Sequence, residues 1–174
     1  LLRRWRHAVQ SEGRVVVLTG EPGIGKSHIT LTLQDRLTSE PHIRLSYFCS
    51  AHHVNSALFP LITQLEREAG FARGDTAAEK YAKLEALLGK SASLADHSVA
   101  LLADLLSLPR DPRHPLPDLT PQKRKEVTLA ALSSLLDNLT AQKPVLMIFE
   151  DAHWIDPTSL ELLAQTVERV PRLR

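Results

Sequence analysis

The sequence predicts an α/β fold, a parallel sheet flanked by helices in three layers, with a helical insert ahead of its last readable strand. Three observations carry that expectation. A β-branched run, Arg14 to Thr19, enters the stretch Gly20-Glu21-Pro22-Gly23-Ile24-Gly25-Lys26-Ser27, and a helical stripe follows. A second apolar run, Val145 to Phe149, stops abruptly at Glu150 and Asp151. Between them lie one alternating strand and several helical patterns, so strands and helices succeed one another along the chain.

The first of these elements explains the second. Arg14 to Thr19 reads as a short buried strand, and Ile29, Leu33 and Leu37 recur every four residues as a helix. The segment between them matches G-x-x-x-x-G-K-S/T in full. Glycines let backbone N–H groups close around phosphate oxygens at a helix N-terminus, where the dipole favours anions. Lys26 is placed to reach the β- and γ-phosphates of a nucleotide, and the Ser27 hydroxyl to hold Mg²⁺. The residues assigned to the nucleotide are Gly20, Glu21, Pro22, Gly23, Ile24, Gly25, Lys26, Ser27 and His28. Carboxylates at the end of a buried strand are costly without a positive partner. Lys26 and the metal would supply it. Glu150 then stands where an acid contacts Mg²⁺ through water, making Ser27 and Glu150 the metal pair, and Asp151 stands where an acid orients or deprotonates the attacking water. Lys26, Glu150 and Asp151 form the candidate catalytic set. The usual order is Asp before Glu; here it is reversed, and either acid can be the base.

The middle of the chain reads as a strand and then helices. Ile43, Leu45, Tyr47 and Cys49 alternate as a strand over 42–49. Leu58, Leu61, Ile62 and Leu65 form one helical stripe; Tyr81, Leu84 and Leu88 form another, closed by Gly89, with Thr76 and Glu79 at capping-box spacing. A third helix is expected from about Ala95 to Leu106, before the proline-rich segment LPRDPRHPLPDLTPQ. Thr120-Pro121 starts a long helix with Leu129, Leu132, Leu136 and Leu139 on one face. Asp156 before Pro157 is an N-cap pattern opening a helix through Arg169. Lys123, Arg124 and Lys125 read as a solvated helix face. Cys49, His52 and His53 lack a second ligand pair at zinc spacing. His153 and Trp154, just past the acids, fit either a nucleotide-state sensor or a packing latch. The 174 residues divide into a phosphate-loop half (12–50), a helical region (56–140) and a final strand and helix (144–170) within one domain.

Bulk properties exclude several classes. With 43% hydrophobic and 24% charged residues the chain should fold rather than stay disordered. Its 21 Lys and Arg against 20 Asp and Glu give no electrostatic case for direct nucleic-acid or membrane binding. Asp96 and Asp104 interrupt the best apolar stretch well short of a span. The opening LLRRWRHAVQ lacks Met and has too few apolar residues for a secretory signal, and one cysteine rules out an internal disulfide. A cytoplasmic location is expected.

GEPGIGKS and FEDAHWIDPTSLELL together resemble the AAA/STAND branch of P-loop ATPases. The nearest likeness is to the Orc-like AAA ATPase module attached to bacterial class III adenylate/guanylate cyclase domains. CSAHHVNSALFPLITQLEREAGF and LTPQKRKEVTLAALSSLL resemble that group too, so the likeness spans nearly the whole chain. It implies a P-loop NTPase sheet of the ASCE type that binds ATP and Mg²⁺, hydrolyses ATP slowly and switches attached effector domains. Related modules serve LuxR-type transcription regulators, so the effector is a cyclase or a DNA-binding domain, and oligomers are possible. The resemblance also implies a further strand between the two motif strands, after the last helix. These residues are therefore expected to be a truncated module, its C-terminal strands missing and an upstream Gly-Arg-Glu-type segment absent. Arg14–Thr19 and Val145–Phe149 should then be left unpaired on facing edges, with weak ATP affinity and a tendency to aggregate. Two other functions compete: a module holding nucleotide as a structural ligand, and a small-molecule kinase, for which Arg110 and Arg113 offer candidate lid residues. Two acids favour hydrolysis, since binding alone needs only one.

Overall fold

The computed structural model of the protein describes residues 1–89 and 97–173. They divide into two compact units, one of residues 1–57 with 139–174 and one of residues 58–138.

The first unit is built on a two-stranded parallel sheet of β1 (Ile43–Phe48) and β2 (Val145–Glu150), in register from Ile43 opposite Val145 to Phe48 opposite Glu150. The alternation expected of β1 appears in its burial. Leu45, Tyr47 and Cys49 are buried while Arg44 and Phe48 are exposed, because successive side chains leave opposite faces of a strand. Tyr47 stacks on its register partner Phe149 with ring centroids 4.4 Å apart, a cross-strand pair that fixes register. Backbone bonds extend the ladder at both ends, from Ile43 N–H to the Pro144 carbonyl and from Cys49 N–H to the Glu150 carbonyl.

Helix α1 (Leu2–Val9) is anchored by buried Trp5, whose indole N–H donates to Glu40 Oε2 at 2.7 Å and whose ring meets His42 edge-on. Helix α2 (Lys26–Leu37) precedes β1. The strand expected over Arg14–Thr19 does not form. A β-branched run becomes a strand only with a ladder partner, and among the described residues 13–20 have none. Val15, Val16, Val17 and Leu18 are consequently exposed, Val17 at 77%. The α2 stripe is correspondingly incomplete, with Leu37 fully buried but Ile29 exposed. Gly13 meets a close approach, since a Cβ there would fall 1.9 Å from the Val170 carbonyl oxygen.

The second unit is helical: α3 (Phe59–Ala69), α4 (Ala77–Leu88), α5 (Ser98–Leu105) and most of α6 (Pro121–Gln142). Leu61, Leu65, Tyr81, Leu84, Leu88, Leu129, Leu132 and Leu136 are buried as their spacing predicts. Helix α5 buries nearly every residue from Ser98 to Ala103; the Ala95 start lies outside the described residues. The capping box is formed, with Thr76 N–H donating to Glu79 Oε2 and Glu79 N–H to Thr76 Oγ1. Gly70 ends α3 in the left-handed conformation, φ 70°, whereas Gly89 ends α4 at φ −65°, which any residue can adopt. The proline-rich segment is pinned: Tyr81 donates its hydroxyl to the Pro109 carbonyl and stacks on His114, which meets Glu85 at 2.6 Å.

Helix α7 (Pro157–Arg169) in the first unit opens on the predicted cap, with Asp156 Oδ1 accepting from the N–H groups of Thr158 and Ser159. Among the described residues no helix is long and apolar enough to cross a membrane.

Candidate nucleotide site

The glycine-rich loop and the end of β2, far apart in sequence, meet in the first unit. Gly23 (φ 78°) and Gly25 (φ 99°) take left-handed backbone conformations that would strain a side-chain-bearing residue, although a Cβ at either would meet nothing within 4 Å. The constraint is therefore backbone angle, not space. Gly25 is the N-cap of α2 and offers no side-chain acceptor, so the first-turn N–H groups of the helix are left without a capping side chain. Open space above the glycines and uncapped donors below make a cradle for an anion. Glu21, Pro22, Gly23 and Ile24 line the exposed part of the loop, with Ile24 N–H bonded to the Glu21 carbonyl.

Lys26 folds back over that loop. Its Nζ donates to the Gly20 carbonyl at 2.8 Å and the Glu21 carbonyl at 2.9 Å. Ser27 Oγ donates to Glu150 Oε2 at 3.1 Å, joining the loop to the last residue of β2. Thr30, one turn further along α2, reaches Glu150 Oε1 at 2.8 Å. His28 is exposed on the first turn, its carbonyl accepting from the Thr32 hydroxyl.

Asp151 leaves the strand sharply. It adopts φ 53°, ψ 40°, a left-handed conformation that Asp tolerates better than most residues, and it is exposed. Its carbonyl accepts from Trp154 N–H to start a 3-10 turn over Ala152–Trp154. His153 and Trp154 are exposed with ring centroids 5.0 Å apart, so neither packs as a core latch. The buried Cys49 thiol is pushed up from its ordinary pKa by desolvation first and then by the charges of Asp156 and Asp151.

The structure thus brings Lys26, Ser27 and the loop glycines together with Glu150, and turns Asp151 to solvent beside them. The residue missed in the sequence is Thr30. Its signal was the three-residue spacing from Ser27, which puts both hydroxyls on one helix face. Lys123 and Arg124, in the helical unit, pair with Glu126 and Asp104. Arg113 is held by both Asp111 carboxylate oxygens.

Comparison with known proteins agrees with this geometry. The model of the AAA ATPase domain family matches residues 1–174. An uncharacterized protein of Rhizobium meliloti (strain 1021) is 28% identical over 174 residues, covering 97% of this chain and 16% of that protein. No solved structure matches the chain. A glycine cradle, a lysine over it and a serine bonded to the strand-end acid thus coincide with a family match along the whole length: the chain belongs to the AAA ATPase domain family.

Proposed function

We propose that this chain binds ATP with Mg²⁺ and hydrolyses it slowly, as a nucleotide-dependent switch. The observation that supports the reading is the Ser27–Glu150 hydrogen bond, which joins the hydroxyl that would hold a metal to the carboxylate that would face it. The residues fit the ligands. Uncapped N–H groups of α2 take phosphate oxygens, and Lys26 exchanges the Gly20 and Glu21 carbonyls for the β- and γ-phosphates. Ser27, directly, and Glu150, through water, would hold Mg²⁺. When bound, the metal neutralises charge on the β- and γ-oxygens and orients them. Asp151 is exposed and makes no side-chain cap bond to the turn that follows it, which suits it to orient or deprotonate water. Glu150 is occupied by two hydroxyls, which favours Asp151 as the base. The kinase reading keeps Arg110 and Arg113 as its candidate lid residues, Arg113 bonding to Asp111 in its own segment.

The STAND-type role rests on resemblance, as do the effector, a cyclase or LuxR-type DNA-binding domain, the cytoplasmic location and the capacity to oligomerise. That the chain spans 16% of its relative's length fits a module within something larger. The test is phosphate release together with ATP binding. Asp151→Asn should keep Mg-ATP bound and stop turnover, because a lost base weakens chemistry more than binding. Wild-type turnover in Asp151→Asn would transfer the base role to Glu150, and binding without turnover in the wild type would make the nucleotide a structural ligand.

A further inference from the structure

Thr30 belongs to no part of the phosphate-loop motif, yet among the described residues it makes one of the two side-chain hydrogen bonds to the Glu150 carboxylate. Three other helical threonines behave differently. Thr32, Thr63 and Thr166 each donate to the carbonyl four residues back, to His28, Phe59 and Leu162, the ordinary way a threonine satisfies its hydroxyl inside a helix. Thr30 instead lies 2.8 Å from the Ser27 carbonyl, three residues back, and 2.8 Å from Glu150 Oε1. A hydroxyl has one proton. With two acceptors at equal distance, that proton goes to the charged one, where the bond is roughly twice as strong.

The partner explains the need. Glu carries one more methylene than Asp at the first acid position, and so one more rotatable bond to immobilise. A single bond from Ser27 would fix one oxygen and leave the carboxylate free to turn about it. Ser27 and Thr30 stand three residues apart on one face of α2 and engage Oε2 and Oε1 separately. Two donors, one per oxygen, set the plane of the group.

We propose that Thr30 is a positioning residue that holds the Glu150 carboxylate in its metal-facing orientation, with the Ser27 carbonyl as its alternative acceptor. Were the Ser27 hydroxyl to leave Oε2 for Mg²⁺, the Thr30 bond to Oε1 would still hold the carboxylate, so its orientation would outlast the exchange. The inference rests on the Mg-ATP reading of the site above.

The test compares wild type, Thr30→Val, Thr30→Ser and Thr30→Ala for the Mg²⁺ concentration that gives half-maximal ATP binding, alongside ADP binding in EDTA. Thr30→Val and Thr30→Ala should raise the Mg²⁺ requirement by about tenfold, the lower end for a hydrogen bond to a charged group. Metal-free ADP binding should be unchanged, and Thr30→Ser should restore the wild-type requirement. In a Glu150→Ala background, which removes the acceptor, Thr30→Val should add nothing. An unchanged Mg²⁺ requirement in both hydroxyl-free variants, or an equal rise in the Glu150→Ala background, overturns the proposal while the nucleotide reading stands. Absence of Mg-ATP binding in the wild type overturns both, and that control separates the two failures.

Discussion

The two units use their polar side chains for different ends. In the helical unit they close loops and cap helices: Thr76 with Glu79, Lys83 with Asp75 and the Gly70 carbonyl, Tyr81 with Pro109. Beneath them Leu84 and Leu102 are completely buried. In the sheet unit the hydroxyls of Ser27 and Thr30 converge on one acid, while Val15 to Leu18, Ile29 and Leu31 face solvent. Buried apolar area stabilises a fold at about 25 cal/mol per Å², so the helical unit is the better-built body. The sheet unit holds groups that a ligand can use. Damage to stability and damage to binding should therefore separate along the chain.

The largest effect should come from the helical core. Leu84→Ala removes a side chain with no solvent exposure and should cost about 2–5 kcal/mol, the range for cavity-forming substitutions. Thermal unfolding would register it. A shift no larger than that of a surface substitution would mean that this unit is not the well-packed one.

Next is Lys26→Ala, which leaves both cores intact. Without nucleotide its melting temperature should match the wild type, since the Lys26 ammonium bonds to two exposed loop carbonyls and to no core group among the described residues. With Mg-ATP at a hundred times the wild-type dissociation constant, the wild type should gain about 2.7 kcal/mol and the variant almost none. Equal gains would remove the phosphate-loop assignment. A large loss without ligand would erase the division of labour between the units.

A smaller effect belongs to the helix ends. Thr76→Ala breaks the capping box and should destabilise by about 1 kcal/mol, with nucleotide binding untouched. Denaturant titration with and without Mg-ATP would show both halves of that expectation, and altered nucleotide affinity would couple the cap to the site.

What the sequence made legible was local. The alternation of Leu45, Tyr47 and Cys49, the Thr76–Glu79 box and the Asp156–Pro157 cap depend on neighbours a few residues away, and each appears where expected. The glycine loop and the first of the two acids, read 123 residues apart, do meet through the Ser27–Glu150 bond. Arg14–Thr19 failed as a strand because strand character needs a partner, and side-chain pattern records only the preference for one. Thr30 was invisible for a related reason: its acceptor lies 120 residues away, and a threonine in a helix looks the same whether it bonds to its own backbone or to a distant acid. The left-handed turn of Asp151 and the crowding of Gly13 against Val170 are likewise tertiary facts. Gly89 closes α4 as read, but at φ −65° what a side chain there would meet is the Glu85 carbonyl oxygen, 2.9 Å from its Cβ, and not a forbidden backbone angle.

The smallest effect is a pH dependence placed by the comparison in the helical unit. Asp75 accepts a hydrogen bond from the Ala72 N–H at 2.7 Å and another from Lys83 Nζ at 2.7 Å, while Lys83 also holds the Gly70 carbonyl. The Ala72 N–H, and then the Lys83 ammonium, hold the Asp75 carboxyl below its ordinary range. The sign follows from linkage. A folded-state pKa below the unfolded one gives stability that is fully present above the unfolded value, about 3.9 for Asp, and is lost as pH falls through the folded value. Asp75→Asn keeps a hydrogen-bond acceptor but no titrating charge, so its stability should fall less steeply below about pH 4 than that of the wild type. Because Lys83 is partly exposed, the difference should shrink with added salt. Melting temperatures of the two proteins across an acid series, at low and high salt, measure it. Parallel acid limbs would show that the loop joining α3 to α4 is closed by backbone bonds alone, and would narrow the contrast between the units to their apolar cores.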